Sequence, residues 1–334
     1  MSFDVGVQVF PGLPRDAVAE AVAYERLGIS SVWIADHFHG AGRDTSWIVP
    51  EVFTTLGAVA ASTETLRFGT CVVSTTKRDP AVLAHGALTL SSLSGGRFDL
   101  GLGTGFGPDL HAFGIPTRAA VSRLEESLEV MRGLFASSPD RPFDHEGGRW
   151  QLHGAFLNLP DAAPPAVSLA AIGPRMLELT ARHADGWLPF GLTPRLYASF
   201  LERIRPRAPG FQPRLWVPTF VEEPGEDRSA EAEASGRLYL SMAPQVLEQA
   251  LGEEAAGAAG SSLAWSPERG REIAASIPRE LALAVAVHGS PARCVEQLRA
   301  FEAAGCAGVV LRITDPARRR RDVERLAAEL AAAG

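Results

Sequence analysis

Apolar and polar positions alternate between two rhythms along the chain. Phe3 to Phe10 changes face every residue, the period of a half-buried strand. Arg15 to Leu27 then places Val18, Ala21, Val22 and Leu27 at helical spacing, and Gly28 stops it. Ser31 to Ala35 predicts a second strand that ends at Asp36-His37, and a polar loop through Gly42 and Asp44 follows. A helix is expected from about Pro50 to Ser62, a third strand over Leu66 to Val73, and a third helix over Pro80 to Ser92. The turn at Gly95-Gly96 leads into a fourth strand, Phe98 to Leu102, with Gly101 set for close approach of a neighbouring backbone. Arg118 to Phe135 is the fourth helix.

The rhythm breaks between about 137 and 165, where Arg149-Trp150-Gln151-Leu152 predicts a small hairpin outside the main sheet. It resumes with a strand over Val167 to Ala171, a helix over Pro174 to Ala184 and the segment Asp185 to Pro189. Thr193 to Arg205 is helical and Arg214 to Val221 is another strand. From 222 to 280 the composition turns acidic and rich in Ala and Gly, predicting one or two inserted helices over one end of the fold. Leu283 to Val287, the helix Ser290 to Ala304 and the strand Ala307 to Ile313 close the series. Regular β-then-α units imply a parallel sheet with right-handed crossovers, and eight of them close a barrel. The expected fold is therefore a (β/α)8 TIM barrel in one domain over 1–334, with insertions at about 137–165 and 222–280 at its C-terminal mouth.

Composition narrows the partners. The chain has 334 residues, 46% of them hydrophobic, ample for one large core. A formal charge of −7 argues against nucleic-acid and membrane-surface binding, which need a basic face. The basic run Arg318 to Arg321 stands beside Asp322 and Glu324 and reads as a solvated helix face. Three cysteines without ligand spacing fit a reducing compartment. No basic leader or apolar run of about 18 residues occurs, so a cytoplasmic protein is expected.

In a barrel, chemistry belongs at the C-terminal ends of the strands. Gly103-Thr104-Gly105-Phe106-Gly107 follows the fourth strand, and its glycines can reach positive φ and lie flat against a ligand. The spacing is not the dinucleotide fingerprint, because no third glycine opens a helix at the right place and Pro108 interrupts. Ala171-Ile172-Gly173-Pro174-Arg175 opens a helix with Gly then Pro, presenting free N–H groups and the positive dipole end to an anion such as phosphate, with the charge of Arg175 added. Asp36-His37-Phe38-His39 admits a metal-binding His-x-His pair, a buried structural histidine, or a carboxylate and a proton-shuttling imidazole acting on an organic cofactor and substrate. The metal reading lacks the later strand-end histidines it needs. Cys71 has nothing basic beside it in sequence and reads as a small buried residue rather than a nucleophile.

Taken in order, Ser31-Val32-Trp33-Ile34-Ala35-Asp36-His37-Phe38, Leu66 to Val73, Gly103-Thr104-Gly105, Ala170 to Pro174, Ala184-Asp185-Gly186-Trp187 and the helix from Ser290 to Gly305 resemble the luciferase-like monooxygenase superfamily, in its coenzyme F420-dependent branch. The resemblance covers nearly the whole chain. It implies an oxidoreductase barrel with the deazaflavin in the C-terminal mouth and a non-prolyl cis peptide after strand three, which would fall at Cys71-Val72. It matches Asp36 to a ring-contacting aspartate, His37 to a proton-handling histidine, and Gly173-Pro174 to the loop holding the cofactor's phosphate. It also implies a homodimer and a small-molecule substrate. The sugar-phosphate dehydrogenases of that branch carry a glutamate where this chain has Phe106 and a tryptophan where it has Ala41, so their reaction is not expected here. Asp109, Asp44 and Glu51 are the carboxylates that could replace the lost one. The expected reaction is hydride transfer from reduced F420 to an electron-poor C=C, C=N or C=O group with His37 as proton donor. An FMN-dependent monooxygenase using O₂ is the alternative, and a catalytically inert flavin-binding relative is the third.

Overall fold

The computed structural model describes residues 3–40, 47–159, 161–252 and 263–333. Its strands are β1 (Asp4–Gln8), β2 (Ser31–Ile34), β3 (Arg67–Thr70), β4 (Val73–Ser74), β5 (Phe98–Gly103), β6 (Phe143–Glu146), β7 (Gln151–Ala155), β8 (Ala166–Leu169), β9 (Gly186–Trp187), β10 (Gln212–Val221), β11 (Val287–Gly289) and β12 (Gly308–Arg312). Parallel pairing runs from β1 through β2, β3, β5, β8, β9, β10 and β12 and returns to β1, so eight strands close a ring with helices between them. The expected (β/α)8 barrel is the fold found. Strands β2, β5 and β12 are buried at every position, as strands covered on both faces must be.

Glycines let large side chains fill the barrel. Trp33 is fully buried with Leu188 and Val310 inside the ring. A Cβ on Gly69 would come within 2.6 Å of both the Trp33 ring and the Asp99 carbonyl oxygen. Gly101 does what its position in the strand predicts, since a Cβ there would collide with the Thr70 carbonyl oxygen. The Cys71–Val72 peptide between β3 and β4 is cis, where the resemblance put it.

The hairpin outside the main sheet is found as expected, while other expectations change. The hairpin forms as β6–β7, antiparallel and off the ring. The 222–280 segment holds three helices among the described residues, Ser229–Leu240, Pro244–Leu251 and Pro267–Ser276, rather than one or two. Leu283 to Val287 is not a strand throughout: a short helix covers Arg279–Ala284, and β11 begins only at Val287, pairing with the outer end of β10. The Leu-Ala run favours helix until Val285 ends it. Pro108 does not interrupt; it occupies the first turn of a helix over Gly107–Ala112, where its missing N–H costs nothing. Of Gly103, Gly105 and Gly107, Gly105 alone has positive φ, at 99°. The basic run is a solvated face only in part: Arg320 and Arg321 are exposed, whereas Arg319 is buried on Glu20 at 3.1 Å and Arg318 pairs with Glu226. No described helix is long and apolar enough to cross a membrane.

Candidate active site

The strand ends bring together residues far apart in sequence. Asp36 follows β2, and its Oδ2 accepts from the Ser74 backbone N–H at 3.0 Å and from Arg78 Nη1 at 2.6 Å. Lys77 donates to the Asp36 carbonyl oxygen at 2.6 Å. Asp36 thus ties the end of β2 to the segment after β4. It does not orient His37, because successive side chains leaving a strand point opposite ways.

The partner of His37 is Asp109. His37 Nδ1 lies 2.8 Å from Asp109 Oδ2, with Asp109 fully buried in the first turn of the Gly107–Ala112 helix. That turn favours a carboxylate. Lys77 Nζ stands 3.5 Å from the same oxygen, and His39 Nδ1 is 3.6 Å from Oδ1 while bonding the Gly40 carbonyl oxygen at 2.9 Å. Burial raises the Asp109 pKa, but the His37 hydrogen bond and the charges of His37, Lys77 and His39 outweigh it and hold the carboxyl below the usual range. Among the described residues no group of three or more His, Cys, Asp or Glu is placed to hold a metal.

The His37 ring is fixed by aromatic neighbours. Phe10 stacks on it with centroids 5.8 Å apart, and Phe106 meets it edge-on at 5.8 Å. Phe106 in turn lies 5.6 Å from Trp265 of the 222–280 segment, whose indole N–H donates to Ser241 Oγ at 3.0 Å. Phe106 is therefore an apolar wall under the insert, as the sequence implied. With Nδ1 held and 30% of its side chain exposed, His37 offers Nε2 to the mouth.

Around it, Gly103 packs on Val72, where a Cβ would come within 2.8 Å of Val72 Cγ2. The Thr104 carbonyl oxygen accepts from Thr76 Oγ1 at 3.0 Å, and Ser74 and Thr76 fill the space beside Gly105. Burial pushes the Cys71 thiol up, so it is no thiolate nucleophile. Ala171 is buried, and its carbonyl oxygen accepts from the Trp187 indole N–H at 2.7 Å. Gly173 caps the helix Pro174–His183 with extended backbone. Arg175 adds no charge there: it turns to Glu125 at 2.8 Å and Ser122 Oγ at 3.0 Å. Glu51 accepts from the Thr54 N–H, capping the helix Val52–Ser62, and pairs with Arg78. Asp44 and Ala41 lie outside the described residues. Lys77, Arg78, Trp265 and Arg312 escaped the sequence reading; a basic pair directly after strand three, and an arginine inside the apolar run Val309 to Ile313, were the signals.

A parallel barrel with a carboxylate-backed histidine at its C-terminal mouth is the frame of an enzyme. The chain belongs to the luciferase-like monooxygenase family, whose profile matches residues 3–308. It is 29% identical over 337 residues to the phthiodiolone/phenolphthiodiolone dimycocerosates ketoreductase of Mycobacterium bovis, covering 90% of this chain and 87% of that one. It is 33% identical over 185 residues to the F420-dependent glucose-6-phosphate dehydrogenase of Kineococcus radiotolerans, covering 54% and 53%. Its fold is that of an F420-dependent secondary alcohol dehydrogenase solved with an F420–acetone adduct, with a TM-score of 0.76 at 18% identity over 98% of each chain. Monooxygenases share the fold too. The protein is an oxidoreductase of this class.

Proposed function

We propose that the protein is an F420-dependent oxidoreductase that reduces an electron-poor C=C, C=N or C=O group of a small molecule, with His37 as proton donor. The observation that carries this reading is the His37–Asp109 pair at the barrel mouth. Relatives named as a ketoreductase and an F420-dependent dehydrogenase support it.

The residues present fit such a cofactor. The helix Pro174–His183 starts with Gly and Pro, and no described residue accepts from the Arg175 or Met176 amide, which leaves a cradle for a phosphate. The Cys71–Val72 bulge and Gly103 form an uncharged surface for a flat ring. Reduced F420, when bound, supplies a hydride. Asp109 holds His37 at Nδ1 and fixes the ring, so Nε2 is the atom that delivers the proton to the substrate's new electron pair. The His37 hydrogen bond and the Lys77 charge favour the ionised Asp109 carboxyl, and Phe10 and Phe106 wall the imidazole on two sides. A proton donor placed this way contributes about 10²–10⁴-fold in rate.

The test is anaerobic stopped-flow oxidation of reduced F420 with a panel of ketones, enones and imines. His37→Asn should slow the active substrate by about 10²-fold or more while leaving F420 affinity nearly unchanged. A wild-type rate in His37→Asn removes the assigned role. The second reading is an FMN-dependent monooxygenase, supported by a structure of like fold that holds FMN; it requires O₂ consumption with reduced FMN.

A further inference from the structure

Four arginines are buried among the described residues, and three of them face carboxylates. Arg319 lies 3.1 Å from Glu20, Arg228 is 2.6 Å from Glu231, and Arg214 stands 3.8 Å from Asp4. Arg312 is the exception. It is 3% exposed, and among the described residues it pairs with no carboxylate. Among the described residues its one hydrogen bond is from Nη1 to the Phe10 carbonyl oxygen, at 2.8 Å. Burying a guanidinium is costly unless an anion compensates it.

Its position says where that anion comes from. Arg312 is the last residue of β12, at the same rim of the barrel as His37. Its guanidinium carbon lies 5.0 Å from the Trp47 ring and 5.9 Å from the Phe10 ring. The Phe10 ring is also the one stacked on His37, so one side chain fixes the spacing of both donors. Nη2 and Nε make no hydrogen bond to another described residue. Two parallel N–H donors on a planar, ring-clamped guanidinium match the two oxygens of a carboxylate.

We propose that Arg312 is the anion-recognition residue of this mouth, and that the substrate is an apolar, largely flat molecule carrying a carboxylate near its reducible double bond. This rests on the reading of the mouth as a reduction site, and it adds the substrate class. The rings of Trp47 and Phe106 fit the apolar body, with the buried Phe10 ring behind them, and Arg312 fixes the end that His37 does not protonate. The same chemistry could be met by an anionic group of the cofactor, and the experiment separates the two.

Isothermal titration calorimetry of the enzyme holding F420 would compare trans-cinnamate with its neutral analogue trans-cinnamamide. The wild type should bind cinnamate at least about tenfold more tightly, the worth of one good charged contact. Arg312→Gln should bring the ratio within about twofold while F420 affinity changes less than about threefold; Arg312→Lys should fall between, keeping the charge but losing the fork. Equal binding by the wild type, no detectable cinnamate binding, or an unchanged ratio in Arg312→Gln overturns the proposal. So does a large loss of F420 affinity in Arg312→Gln with the cinnamate ratio intact, which assigns the anion to the cofactor. If F420 itself does not bind, the reduction reading fails separately, and the same probe pair on the apo-protein still decides the role of Arg312.

Discussion

Asp109 Oδ2 lies 2.8 Å from His37 Nδ1 across 72 residues of sequence. This contact joins the C-terminal end of β2 to that of β5, and it gives the histidine a buried counter-charge. Lys77, only 3% exposed, leans on the same carboxylate at 3.5 Å.

Removing that carboxylate leaves the buried Lys77 ammonium and the His37 Nδ1 without it. Asp109→Ala should therefore destabilise the protein by about 3 kcal/mol, the cost of breaking a buried pair from one side. Urea unfolding of wild type and variant measures it; a difference under about 1 kcal/mol would show that His37 and Lys77 find other partners.

The pH dependence has a defined sign. Asp109 has its carboxyl held below the ordinary 3.8 in the fold. Its contribution is then complete above that value and is lost as pH falls through the lower folded value. The stability gap between wild type and Asp109→Asn should be level from about pH 5.5 to 4.5 and shrink toward about pH 2–3. A gap that widens on acidification contradicts the assignment.

The barrel was legible because its strands and helices have different hydrophobic periods, and because turn residues such as Gly28 and Gly95-Gly96 punctuate them. The site was legible only in part. Asp36 and His37 announce themselves at a strand end, but sequence cannot tell which way each side chain turns. Asp36 went to Arg78 and His37 to Asp109. Asp109 was one of three carboxylates open in the sequence, and choosing it required knowing that Pro108 starts a helix rather than breaking one. Arg175 looked like part of an anion site until Glu125, 50 residues earlier, claimed it. Arg312 carried no motif; its meaning comes from burial without a carboxylate partner among the described residues.

Close packing at β5 predicts a sharp contrast between two glycines. Gly101→Ala drives a methyl into the Thr70 carbonyl oxygen, whereas a methyl on Gly12 would meet nothing within 4 Å. The first should cost about 2–3 kcal/mol and the second less than about 0.5 kcal/mol. Paired thermal melts decide it, and equal melting temperatures would contradict the strand packing at β5.

Burial pushes the thiols of Cys294 and Cys306 up to about 12 and about 11. At pH 8 the native protein should alkylate roughly a hundredfold more slowly at Cys306, and roughly a thousandfold more slowly at Cys294, than after unfolding in urea, because the thiolate is the reacting form. Mass spectrometry after timed iodoacetamide exposure reads this directly. Rapid native labelling of Cys294 would mean that the helix Pro291–Ala303 opens.

The most direct test of the central claim is titration of the purified apo-protein with F420 and, separately, with FMN, followed by fluorescence. The account predicts tight F420 binding and FMN binding weaker by about tenfold or more, equivalent to about 1.4 kcal/mol. The reverse preference would contradict hydride transfer from the deazaflavin and turn the search to oxygen consumption with reduced FMN.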